Sequence, residues 1–329
     1  MKKPKPRKGN DSPWVILAWA LNIIGLGGIA LVLGAYWALQ PVFAAPHAPN
    51  PQYTATLPPT YTPNPASQFM PTITPNPHST LIVVQTPTPF VLQNASYGSA
   101  QVATVGYSVS GRPIEVYTFG NGEHKKMIVA GIHGGYEWNT IALADELIQY
   151  IFDNPDVIPS DVTLYIMRNM NPDGDARDHG IDGRVNDHGV DLNRNFPTNW
   201  KKEWDRAGCW SLTPTTGGPS PGSEPETRAV MYFLQSHDVE TLISYHSAAL
   251  GVFPGGVPWE EDSKKFAKAL GKATGYPYPP LDTGCVYTGT LADYAVSLGI
   301  TAVDMELSTH KYTDFEENLE ALEVLLNWK

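Results

Sequence analysis

The chain has 329 residues, room for one large or two ordinary domains, and 22 lysines and arginines against 33 acids leave a net charge of −11. The charge is uneven: residues 1–13 carry +4, residues 12–111 carry none, and the chain from Arg112 onward holds 17 basic and 32 acidic side chains. So acidic a C-terminal part excludes phosphate neutralisation as its task, and nucleic acid is not an expected partner.

Residues 1–13 form a basic tail with Lys2, Lys3, Lys5, Arg7 and Lys8. Trp14 to Leu39 is an uncharged run of 26 residues with Trp14, Trp19, Tyr36 and Trp37 toward its ends. As a helix it measures about 39 Å, enough to cross a hydrocarbon core of about 30 Å. Residues 14–39 are therefore expected to be a transmembrane anchor, with the basic tail in the cytoplasm and the rest outside. A cleaved signal peptide ending near Ala45 is the rival, but its apolar core spans only about 7–15 residues. Residues 40–95 read as a stalk. Between Pro46 and Phe90, 12 of 45 residues are proline and 9 are threonine, with no charge. Such chain cannot bury enough surface to fold alone and extends at about 3.1 Å per residue.

Residues 96–329 are expected to fold. Strands are predicted at Ile114–Phe119, Lys126–Ile132, Val162–Met167, Thr241–Tyr245 and Ile300–Leu307. A helix is predicted from Trp138 to Phe152, where Ile141, Leu143, Ala144, Leu147, Ile148 and Ile151 keep a 3.6-residue period. Asn171-Pro172-Asp173-Gly174 reads as a turn. Ser263–Thr274, Leu291–Leu298 and Phe315–Asn327 read as further helices, and Glu224 and Glu226 as acids of a Pro/Gly-rich loop, at the surface or lining a cleft. Strands alternating with helices predict a three-layer α/β/α sandwich on a mixed, largely parallel central sheet.

The most informative stretch is Arg184 to Pro197, R-V-N-D-H-G-V-D-L-N-R-N-F-P. Val190, Leu192 and Phe196 alternate with Asp191, Asn193 and Asn195, which predicts a short half-buried extended segment with a polar edge. An arginine there presents a rigid fork of donors suited to a carboxylate or an oxyanion. This stretch resembles the substrate-binding signature of the zinc carboxypeptidases of the carboxypeptidase A type. G-I-H-G-G-Y-E-W and I-S-Y-H-S resemble the two metal-ligand segments of that family, and Glu306-Leu307 its catalytic Glu-Leu pair, in the family's order.

The resemblance implies one zinc held by His133, Glu137 and His246, a ligand set known for carboxypeptidase A itself. All three fall at or just past strand ends, where ligands collect in open α/β sheets. The family spaces its first His and Glu as H-x-x-E, whereas here one residue more intervenes. Either Gly134-Gly135 absorbs it by taking φ > 0, or the site is damaged. Asp191 is then the carboxylate that orients His133. Glu306 is the general base for a zinc-activated water, and Arg184 stabilises the oxyanion. Asn193 and Arg194 hold a substrate carboxylate, and Tyr287 matches the family's active-site tyrosine. Asp304, two residues before Glu306, is a second carboxylate or a pocket wall. Ala292 falls at the pocket floor, where a small neutral residue speaks against a pocket for Lys or Arg. Among the other histidines, His179 and His188 read as surface, and His124, His237 and His310 carry no motif. Cys209 and Cys285, an even count in an exported domain, permit a disulfide or two free thiols.

The function implied is a membrane-anchored metallocarboxypeptidase outside the cytoplasm, acting on a peptide. Two alternatives stay open: a murein peptide amidase acting on cell-wall peptides, and a peptide-binding ectodomain that has lost its zinc.

Overall fold

Eight strands build one sheet: β1 (Ala95–Tyr97), β2 (Ala100–Tyr107), β3 (Pro113–Gly120), β4 (His124–Val129), β5 (Val162–Met167), β6 (Thr241–Ser247), β7 (Gly251–Pro254) and β8 (Thr301–Leu307). Among the described residues six α-helices accompany them: α1 (Trp138–Asp153), α2 (Pro172–Arg177), α3 (Pro225–Ser236), α4 (Glu261–Thr274), α5 (Leu291–Ser297) and α6 (Phe315–Asn327). The computed structural model describes residues 95–97, 100–204 and 215–329. The expected basic tail and anchor, nearly all of the stalk, and Cys209 lie outside the described residues. Among those described, no helix is long and apolar enough to cross a membrane.

The strand order is β1-β2-β3-β5-β4-β6-β8-β7. The four central strands β5, β4, β6 and β8 run parallel, and antiparallel strands close both sides, so the sheet is mixed. Parallel strands buried on both faces read as near-continuous apolar runs, and β5 is buried at all six positions. Alternate residues then serve opposite layers. Ile128, Ile243, Val303 and Met305 meet α1, α4 and α6 through Leu143, Leu147, Phe266 and Leu325. Met127, Val129, Leu242 and Ala302 meet α3 and α5 through Val230, Phe233 and Tyr294. Each fully buried Val, Leu, Ile, Met or Phe among them contributes about 1.5–3 kcal/mol of transfer free energy.

Helix ends follow local chemistry. The Glu260 carboxylate accepts from Asp262 N and Ser263 N to start α4, and Gly275 at φ +75° ends it. The Pro/Gly-rich loop expected around Glu224 is instead the start of α3. Pro225 occupies its first turn, where a missing N–H costs nothing, and Ala229, Val230, Phe233 and Leu234 form its buried stripe. The Asn171 turn continues into the short helix α2, with the Asn171 side chain accepting from Gly174 N.

A second correction concerns the stretch from Val190. Its extended character stops at one bridge, Val190 to Thr216. A 3-10 turn over Leu192–Arg194 follows, started by the Asp191 side chain accepting from Asn193 N. Leu192, Asn193, Arg194, Asn195 and Phe196 are all buried. The alternation marks two buried environments, one apolar and one polar, and not a core face with a wet edge.

Candidate metal centre and cleft

The parallel strands β4, β6 and β8 end side by side. His133 lies four residues past the end of β4, His246 within β6, and Glu306 pairs with His246 in the β6–β8 register. The extra residue after His133 is absorbed by a 3-10 turn over Gly134–Glu137 with Gly134 at φ +47°. A Cβ on Gly134 would sit 2.8 Å from Asp175 N and Gly183 O, and one on Gly135 would press into the Asp178 carbonyl. Both glycines are therefore demanded by close backbone approach as well as by the turn. The turn brings Glu137 back to His133.

His133 Nδ1, His246 Nδ1 and the Glu137 carboxylate converge on one point. The two nitrogens are 3.3 Å apart, and Glu137 Oε1 and Oε2 lie 2.8 Å and 3.2 Å from His133 Nδ1 and His246 Nδ1. All three residues are buried. His133 Nε2 donates to Asp191 Oδ1 at 3.2 Å, and His246 Nε2 faces the Asp304 carboxylate at 3.4 Å and Ser244 Oγ at 3.1 Å. Carboxylates can only accept, so both Nε2 atoms carry the proton and both Nδ1 lone pairs face the Glu137 carboxylate and each other. Acceptors facing acceptors need a cation between them. Two atoms about 2.0–2.1 Å from a tetrahedral zinc are about 3.3 Å apart, so the donor set and its spacing fit zinc. Without metal a proton takes that place. Burial opposes charge on His246, but the neighbouring Asp304 and Glu137 outweigh it and hold the imidazole well above its ordinary pKa. Burial likewise opposes charge on Glu137, yet His133 and His246 hold its carboxyl well below the usual carboxylate range.

Asp191 serves two neighbours. Its Oδ2 accepts from Arg184 Nε at 3.0 Å and Nη2 at 2.9 Å, which leaves Arg184 Nη1 3.3 Å from His133 Nδ1. Against burial, Arg184 and His133 hold Asp191 well below its ordinary pKa. Glu306 accepts from Ala249 N at 3.1 Å, and burial pushes its carboxyl up.

These residues line a cleft of about 1200 Å³. Arg194 lines it too, 3% exposed, its guanidinium 5.3 Å from the ring centres of both Trp204 and Tyr287. Arg194 Nη1 donates to Asn193 O at 2.8 Å, while its Nε has no partner among the described residues. The Asn193 carboxamide is oriented by Leu291 N, which donates to Oδ1 at 2.8 Å. Its NH2 group is thereby left 3.2 Å from His246 Nε2.

All nine expected site residues therefore gather in or directly behind one cleft. Ala292 and Asp304 line it as well. His310, which carries no motif, proves to be a cleft residue: its Nδ1 lies 2.9 Å from Ser247 Oγ and its ring packs on Tyr136. Tyr136 lies in the lengthened first motif, and no sequence signal pointed to its pairing with His310. Glu224 and Glu226 are not cleft acids. Both are buried behind it and accept from Asn186 Nδ2 at 2.8 Å and 3.1 Å. Cys285 is disulfide-bonded, and Cys209 is the chain's only other cysteine.

A buried His2Glu centre at the carboxyl ends of parallel strands, opening on a cleft, is a single-metal centre of the catalytic zinc class. The zinc carboxypeptidase family matches residues 92–322, so the chain belongs to the zinc carboxypeptidase family. It is 29% identical over 175 residues to a metallocarboxypeptidase A-like protein of Trichophyton verrucosum (strain HKI 0517), covering 47% of this chain and 41% of that one. It is 32% identical over 131 residues to murein peptide amidase A of Escherichia coli (strain K12), covering 36% and 48%. The chain thus spans about half the length of these curated relatives. The fold is similar to bovine thrombin-activatable fibrinolysis inhibitor, solved with a tick carboxypeptidase inhibitor: TM-score 0.58, 20% identity, 69% of this chain and 89% of that one.

Proposed function

We propose that the chain is a zinc-dependent hydrolase that removes residues from the carboxyl end of a peptide, tethered to a membrane and facing away from the cytoplasm. The observation that carries this reading is Arg194. A buried guanidinium whose Nε has no partner among the described residues, lining the same cleft as the metal centre, asks for an anion there. A peptide's terminal carboxylate has the right charge and the right planar shape.

Zinc, when bound, polarises the scissile carbonyl and makes water acidic enough to ionise near neutral pH. The chain's own residues perform the remaining steps. Arg194 and the Asn193 amide hold the terminal carboxylate, and Tyr287 flanks it. Glu306 takes the proton of the attacking water and delivers it to the leaving amine. Arg184 donates to the oxygen that gains charge in the transition state. Asp191 fixes the His133 tautomer and the Arg184 fork together.

The tether rests on the uncharged run 14–39 and the basic residues before it. The match to murein peptide amidase A supports a second reading, in which the same steps act on a cell-wall peptide. The peptide-binding reading without zinc loses its ground, since the lengthened motif returns Glu137 to the two histidines.

The test is metal content beside turnover. The purified chain is expected to hold one zinc, to lose activity on chelation, and to regain it with one equivalent. Glu306→Gln should keep the zinc and abolish hydrolysis. Full activity in the chelated protein would refute the proposal.

A further inference from the structure

His310 has no task in the steps above, yet its imidazole is oriented by a chain of bonds that runs in one direction. Asn139 is fully buried, and its Nδ2 donates to the carbonyls of Thr309 and Tyr312 at 2.6 Å and 2.9 Å. Its Oδ1 is therefore the atom that meets Ser247 Oγ at 2.9 Å. A carbonyl oxygen only accepts, so the hydroxyl proton of Ser247 points to Asn139. Toward His310 Nδ1, 2.9 Å away, Ser247 can then only accept. Nδ1 carries the proton, and in the neutral ring Nε2 is left as a bare acceptor. Burial, with Arg184 and His133 nearby, keeps the ring below its ordinary pKa against the pull of Glu137. The ring is half-buried, packs on Tyr136 and lines the cleft. Its Nε2 takes no hydrogen bond among the described residues.

We propose that His310 is a substrate-contact residue whose Nε2 accepts a hydrogen bond from a backbone N–H of the peptide, upstream of the bond that is cut. The inference rests on the carboxylate-binding role of Arg194 and the hydrolytic role of the metal centre given above. The strongest charges on His310 come from Glu137, Arg184 and His133, and those on Arg194 from Asp191, Arg184, Tyr287 and Asp304. Arg184 thus neighbours both, and the two residues flank the metal centre on different sides. A peptide with its terminal carboxylate on Arg194 and its scissile carbonyl between the metal and Arg184 runs on toward His310. Every residue of that chain save proline brings a backbone N–H, whatever its side chain. A ring held as a pure acceptor is the complement of such a donor. A peptide lacking the N–H would cover Nε2 and leave it desolvated without a partner.

The experiment uses the full chain loaded with zinc and three blocked tripeptides: acetyl-alanyl-alanyl-leucine, the same peptide N-methylated at the second alanine, and the same N-methylated at the first. Another terminal residue replaces leucine throughout if the wild type releases it faster. His310→Phe keeps a ring on Tyr136 and removes Nε2. It is expected to lower kcat/KM about 2- to 10-fold on the unmodified peptide, the range of one neutral hydrogen bond, and to leave one methylated peptide at its wild-type rate. The peptide that is spared tells which N–H makes the contact. His310→Gln, whose carboxamide oxygen can take the place of Nε2, should recover part of the loss. Imidazole nitrogen shifts of labelled protein should show His310 as the Nδ1–H tautomer. An equal loss on all three peptides marks a ring that only holds the fold and overturns the inference. No loss on any peptide, or an Nε2–H tautomer, overturns it too, and each of these results leaves the hydrolase reading intact. If the wild type cleaves none of the peptides, the hydrolase reading fails instead. Calorimetry with the same three leucine peptides then decides. Affinity lost in His310→Phe only where the N–H is present supports the contact, and affinity changed alike for all three overturns it.

Discussion

At the scale of single residues, two arginines from one stretch divide the work. Arg194 faces a charge that the substrate brings with it, whereas Arg184 faces one that appears during reaction. Arg194→Ala should therefore mainly raise KM, and Arg184→Ala should lower kcat by about 10² or more, the usual loss for one oxyanion donor. Steady-state kinetics separates the two. Lysine at 194 should rescue only partly, because a point charge cannot copy the fork or its place between Trp204 and Tyr287. Asp191 supports both Arg184 and His133, and its depressed pKa makes it a source of pH-dependent stability. The sign follows from linkage: an acid whose folded pKa lies below its unfolded value stabilises fully above that unfolded value, near pH 4, and the gain is lost as pH falls through the folded value. Asp191→Asn, which leaves Arg184 without its partner carboxylate, should cost about 3–5 kcal/mol at neutral pH. Urea melts in chelator should show that gap narrowing below about pH 4; a gap constant down to pH 2 would contradict it. Most of these residues were legible from motif and order. Their burial was not, because a run such as D-L-N-R-N reads alike on a wet edge and in a polar interior.

At the scale of elements, the lengthened first motif is the clearest case of local sequence deciding function. Three residues between His and Glu suit the metal only if the chain turns tightly, and Gly134-Gly135 allow that against the Asp178 and Gly183 backbone. Gly135→Ala should loosen the turn and weaken zinc at least about tenfold in competition with a chelator. Gly275→Ala, at φ +75° where α4 ends, should cost about 1 kcal/mol in stability and leave zinc affinity unchanged. The strands β5, β6 and β8 and the helices α1 and α6 were legible because their apolar periods are long. The helix α3 was hidden by the prolines and glycines before it, although Pro225 is itself a start signal. The segment after Val190 was misread as extended because its side-chain cap, Asp191 to Asn193 N, imposes a turn that periodicity does not show. Antiparallel β2 and β7 have no strong alternation and take their place from the neighbours they pair with.

At the scale of the whole molecule, the charge map and the fold make one picture. An acidic mixed-sheet domain carries a metal centre at its strand ends, and the uncharged run 14–39 lies far upstream in the sequence. The intact protein is expected to stay with membranes through high-salt and carbonate washing, with the domain open to added protease on the non-cytoplasmic side. Release of the domain by carbonate alone would contradict the tether. The sheet order and the crossing helices could not be read from the sequence, since pairing between β4 and β6 joins segments more than a hundred residues apart. The central claim is that the metal centre works on a bond next to a free carboxylate held by Arg194. The most direct measurement is the rate of cleavage of one peptide made twice, as the free acid and as the C-terminal amide, followed by mass spectrometry with the zinc-loaded chain. The account predicts loss of single residues from the free acid, a rate at least about tenfold lower on the amide, and no further loss on the amide from Arg194→Ala. Equal cleavage of the two peptides, or cuts at internal bonds, would contradict it.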